Sequence, residues 1–97
     1  TMSALGWTHF VAGRFDEAVK WTARALRDRP AFGPALRFHA ASLAGLGRLP
    51  EARATVARLL DLEPGLTASE IRRRAPVFDA GLMDAFVNAL RQAGLPD

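Results

Sequence analysis

Eight residues return after an interval of 34: Gly13 as Gly47, Arg14 as Arg48, Glu17 as Glu51, Ala18 as Ala52, Ala23 as Ala57, Arg24 as Arg58, Leu26 as Leu60 and Pro30 as Pro64. A fixed period of this length marks an array of stacked helix pairs, because each pair has an apolar face that only a neighbouring pair can cover. Function in such an array belongs to a surface rather than to an enclosed reaction centre.

Helical grammar runs through both copies. Residues 2–12 carry Met2, Leu5, His9 and Ala12 at helical spacing, and Gly13 supplies a stop that tolerates positive φ. Asp16 and Glu17 favour the positive end of the next helix, whose inward candidates are Ala18, Val19, Thr22, Ala25 and Leu26, and Pro30 ends it. The same order recurs over residues 35–46, with a stop at Gly47, and over residues 50–62, between Pro50 at the start and Pro64 past the end. Beyond Pro64 the period lapses. Thr67 and Glu70 predict a capping box for a short helix with Ile71 and Ala75 inward, and Pro76 interrupts it. Asp79 then caps a last helix, with Phe78 folded onto Met83 as a staple and an apolar stripe of Leu82, Met83, Phe86, Val87 and Leu90. Gly94 and Pro96 close that helix, which is expected to cover the open end of the second hairpin.

These features resemble the tetratricopeptide repeat. Gly6 and Ala40 stand where the family packs its first helix tightly against its second. Residues 13–18 and 47–52 look like two copies of its turn and second-helix opening, and Pro30 and Pro64 match its terminal proline. The chain departs from the family at Met2 and Leu36, where Trp is frequent, at His39 in a usual Leu position, and at Leu59, which replaces the small residue preserved as Ala25. The resemblance implies an all-α fold, a right-handed α-solenoid of two helical hairpins, residues 1–32 and 33–66. Residues 67–97 follow as short helix, proline break and capping helix. Residues 79–97, with their ending over residues 90–97, also resemble the C-terminal ends of certain bacterial repeat proteins, in which the repeats follow a class III adenylate or guanylate cyclase domain or a winged-helix regulator domain. That second likeness implies a bacterial, cytoplasmic signalling parent whose catalysis lies elsewhere. Thr1 aligns inside the first helix of a repeat with no N-cap before it, so the chain reads as a fragment. Apolar surface near Met2, Leu5 and His9 is then expected to favour a homodimer.

Composition narrows the chemistry. Ninety-seven residues, 49% of them hydrophobic, suffice for one core, and the absence of cysteine excludes disulfides, thiolate metal sites and cysteine nucleophiles. His9 and His39 read as packed core residues rather than metal ligands. Ser3, Ser42 and Ser69 lack the context of a nucleophile elbow, and Gly45 and Gly47 lack the Lys and hydroxyl residue of a phosphate loop. No catalytic residue, cofactor, metal or small-molecule substrate is expected. No apolar run reaches the roughly 18 residues of a membrane span. The net charge of +3 is slight, and Arg72, Arg73 and Arg74 fan around a helix instead of tracking phosphates in a row, so nucleic acid is not an expected partner.

A protein or peptide partner is expected instead. In the family the first helix of each pair lines the concave side. Helical phase then selects Ser3, Trp7, Phe10 and Val11 in the first hairpin and Arg37, Phe38, Ala41 and Ala44 in the second, with Arg14 at the turn. An aromatic patch of Trp7, Phe10 and Phe38 suits an amphipathic helix or an apolar peptide anchor. Trp7 and Phe10 are equally placed to pack against an upstream repeat or the returning tail, which would make the helices a self-association spacer. Where some members clamp a terminal carboxylate with Lys and Asn, this chain has Ser3 and Trp7, which disfavours acidic chaperone-type tails. Arg14, Arg37 and Arg48 remain to receive an acidic partner, and Trp21 either offers a further exposed contact or shields the joint between the hairpins.

Overall fold

The computed structural model describes residues 13–74 and 80–97. Five helices follow one another: α1 (Phe15–Asp28), α2 (Gly33–Gly45), α3 (Leu49–Leu62), α4 (Ala68–Arg74) and α5 (Ala80–Gln92). There is no strand among the described residues. The helix expected over residues 2–12, the bend at Pro76 and the cap of Phe78 and Asp79 lie outside them.

The 34-residue period holds in the backbone even where side chains differ. Gly13 and Gly47 take φ of 75° and 79°, the left-handed region that a side chain with a Cβ enters only at a cost. At Gly47 the purpose is plain. The Gly47 N–H donates to the Ala44 carbonyl at 3.0 Å and the Arg48 N–H to the Leu43 carbonyl at 2.9 Å, the crossed pair of bonds that closes a helix on a left-handed residue. The exits of α1 and α3 also match. The Phe32 N–H donates to the Arg29 carbonyl, and 34 residues on the Leu66 N–H donates to the Glu63 carbonyl, both at 3.0 Å.

Packing follows from which faces are apolar. α1 buries Ala18, Thr22, Ala25 and Leu26, and α3 buries Ala52, Thr55, Val56 and Leu59. Val19, expected inward, is half-buried at the edge of the core. Leu59 is fully enclosed, so this bulkier replacement for a small residue fills core volume without breaking the helix. α2 is buried on most of its circumference, through Ala35, Leu36, Ala40, Ala41, Leu43 and Ala44, because it packs against α1, α3 and α5 together. Its start precedes the expected residue 35, since Pro34 fits the first turn of a helix, where its missing N–H is not required.

The closing segment is more firmly docked than its pattern suggested. The Thr67 hydroxyl accepts from the Glu70 N–H at 3.1 Å, forming the N-terminal half of the expected capping box, and Ile71 is buried. Met83, Phe86, Val87 and Leu90 form the inner face of α5, which runs against α2 and also touches α3 and α4. Past α5 the chain folds back. The Leu95 N–H donates to the Leu90 carbonyl at 3.0 Å, Leu95 is buried, and the Pro96 carbonyl accepts from the Ala68 N–H at 2.8 Å. Arg91 Nε meets Asp97 Oδ1 at 2.5 Å, so the tail is held from both sides.

Candidate interaction surface

α2 contributes Arg37, Phe38, Ala41 and Ala44 to the expected groove. The Phe38 ring lies 5.2 Å from the ring of Phe86 on α5, centroid to centroid, with the planes tilted by 40°, a favourable aromatic contact. Ala41 is fully buried and Ala44 nearly so. This stretch of α2 therefore faces the protein's own interior and its last helix.

Arg37 points elsewhere. Its Nη2 donates to Glu63 Oε2 at 2.9 Å, with side-chain exposures of 19% and 31%, joining the start of α2 to the residue that caps α3. The Arg37 guanidinium thus secures the hairpin and leaves the groove face to its neighbours.

Arg14 and Arg48 occupy matching positions before α1 and α3 but differ in their surroundings. Arg48 grips Glu51 through two bonds, Nε to Oε1 at 2.8 Å and Nη2 to Oε2 at 2.5 Å, and this hydrogen-bonded pairing holds the Glu51 carboxyl below its ordinary pKa. In the first copy, Glu17 instead accepts from Lys20 at 3.3 Å. The second copy has Ala54 where the first has Lys20, so Glu51 has no lysine at that position. The Arg14 side chain is exposed and makes no hydrogen bond or ion pair among the described residues, so of Arg14, Arg37 and Arg48 it is the cation open to a partner.

His39 sits half-buried between α1 and α2, with Nδ1 2.8 Å from the Thr22 hydroxyl. Two members of the Arg72–Arg74 run are paired, Arg72 with Asp84 at 2.7 Å and Arg73 with Glu70. Among the described residues there is no cluster of His, Cys, Asp or Glu that could hold a metal ion, and no helix is long and apolar enough to cross a membrane.

The sequence matches the family described as tetratricopeptide repeat over residues 1–24 and 33–58. The two matched stretches end 34 residues apart, the interval at which Gly13 and Gly47 adopt the same left-handed conformation. The chain belongs to the tetratricopeptide repeat family. No curated protein and no solved structure matches it. Tetratricopeptide repeats mediate protein–protein interaction and bind protein or peptide partners, and the described core is the all-α helical repeat that supports such a surface. Of the groove residues selected by helical phase, Ser3, Trp7, Phe10 and Val11 lie outside the described residues. The contact of Phe38 with Phe86 was not legible beforehand. Its one signal was that the apolar stripe of the last helix needed a partner.

Proposed function

We propose that this tetratricopeptide repeat chain is the protein-recognition part of a larger signalling protein, and that it holds a protein or peptide on the concave side of its first hairpin. The observation that carries this reading is the placement of α5. By packing on α2 it uses Phe38, and Ala41 and Ala44 are buried, which leaves recognition to Ser3, Trp7, Phe10 and Val11 with the exposed cation of Arg14. The aromatic pair supplies an apolar anchor and Arg14 a carboxylate contact at the rim. The parent is a bacterial cytoplasmic protein with a cyclase domain, or a winged-helix regulator domain, carrying the chemistry. What supports this part is the likeness of residues 79–97 to the ends of such proteins.

Selection from a displayed peptide library tests the groove. The expected result is a family of related sequences with an apolar anchor, bound by the wild type and lost with Trp7→Ala while the helical circular dichroism is unchanged. Selection that yields the same sequences on Trp7→Ala would remove Trp7 from the site.

The contact of Phe38 with Phe86 also favours a second reading, in which the chain's own last helix fills the groove and the module serves self-association. Light scattering across a concentration series separates the two. A dimer abolished by Trp7→Ala assigns that residue to assembly, and a monomer throughout leaves it to a partner.

A further inference from the structure

Opposite its buried face, α1 carries Lys20, Arg24 and Arg27, which follow one another at four and three residues and so stand roughly 6 and 4.5 Å apart along the helix axis. They border a cavity of about 490 Å³ whose described lining is Glu17, Lys20, Trp21, Ala23, Arg24 and Arg27. The small side chain of Ala23 leaves room between Lys20 and Arg27. Trp21 is half-buried, and the Arg24 guanidinium carbon stands 5.2 Å from the Trp21 ring centroid, a cation–π placement that restrains the arginine. Lys20 is held by Glu17 at 3.3 Å, whereas Arg24 and Arg27 are exposed and make no ion pair among the described residues.

The fold itself does not call for this set. At the matching positions 34 residues later α3 has Ala54, Thr55, Arg58 and Asp61 for Lys20, Trp21, Arg24 and Arg27. There the surviving Arg58 donates to the Pro30 carbonyl at 3.0 Å, a structural task. α3 builds the same repeat without the aromatic and with an acid among the cations.

We infer that the outer face of α1 docks an acidic helical segment of a partner protein, with carboxylates three residues apart meeting Arg24 and Arg27 and an apolar side chain entering the cavity beside Trp21 and Ala23. The spacing of the cations is that of one helix read by another. Glu17 decides against nucleic acid, because it places a carboxylate in the wall where a continuous run of phosphates would pass. The test of this face is independent of Trp7.

The probe is a fluorescein-labelled peptide of about fourteen residues with Glu at three- and four-residue spacing and Leu alongside, titrated with the 97-residue chain and followed by anisotropy. Saturable binding is expected at low salt, weakened about tenfold by Arg24→Glu combined with Arg27→Glu, and regained when that variant meets the same peptide with Lys for Glu. Both substituted side chains are exposed, and an unchanged thermal midpoint verifies that the variant folds. Binding that is absent, or equal in wild type and variant, overturns the proposal. So does tighter binding of a single-stranded oligonucleotide of equal charge, which would make the face a nucleic-acid site.

Discussion

Thr22 and His39 meet across the α1–α2 interface, with Oγ1 and Nδ1 2.8 Å apart, and the same hydroxyl lies 2.9 Å from the Ala18 carbonyl of its own helix. With the hydroxyl proton on the Ala18 carbonyl, the His39 tautomer that completes the pair is the one that donates Nδ1–H to Thr22. A position where the family usually has Leu is thereby filled by a hydrogen-bonded side chain that keeps the two helices in register.

His39 makes stability pH-dependent. Burial, then the Arg58 and Arg48 charges, hold its pKa below the ordinary 6.5, with Glu51 opposing. The unfolded chain takes up a proton near 6.5 while the folded chain resists it. Stability is thus full above that pH, falls as pH drops through it, and levels off below the folded pKa. Thermal midpoints measured between about pH 7.5 and about pH 5 should decline, and His39→Gln should flatten part of the decline. At the upper pH that variant should be less stable by about 1 kcal/mol.

Gly45 and Phe15 form a pair in which a sign reverses. A Cβ on Gly45 would stand 2.8 Å from Phe15 Cδ2 and 2.9 Å from Cγ, so the whole ring would have to move. Gly45→Ala should destabilise by about 1 kcal/mol, the clash exceeding the gain in helix propensity. In a Phe15→Ala background the same change should stabilise. Urea denaturation of the four proteins in this cycle measures it, and equal effects in both backgrounds would refute the clash.

Phe86 anchors the last helix. It is 2% exposed and packs its ring at a tilt against Phe38, so Phe86→Ala should destabilise by about 3–5 kcal/mol. Amide hydrogen exchange should then quicken most in α5 and in the Ala68 N–H, whose acceptor Pro96 is held by the tail beyond α5.

Two ion pairs should differ in worth. Arg37 and Glu63 are mostly enclosed and should show a coupling of about 1 kcal/mol in a double-mutant cycle, whereas Arg72 and Asp84, at 39% and 60% exposure, should show a few tenths. Raising the salt concentration should shrink the second coupling more than the first.

Much of this was legible before any coordinates. Gly47 and Gly94 announce helix ends because a left-handed residue and the crossed hydrogen bonds around it involve only a few adjacent residues. The buried set Ala18, Thr22, Ala25 and Leu26 follows from one apolar stripe on one helix. Phe38, Ala41 and Ala44 share a helical phase that suits a groove, because phase identifies a face without saying what will cover it. The docking of Leu95 and Pro96 has no sequence signal, since a tail held through one carbonyl and one side chain has no periodicity to reveal it.

The sequence by itself determined the repeat length, the helix ends, the family and the inward stripes, because each depends on torsional preferences and apolar spacing within a few turns of one chain segment. Tertiary structure alone decided that α5 lies on α2, that Arg37 turns to Glu63 and that Arg14 stays open while Arg48 holds Glu51. Those outcomes depend on where distant segments come to rest, and on which of several similar charges lies within a hydrogen bond's reach once they have.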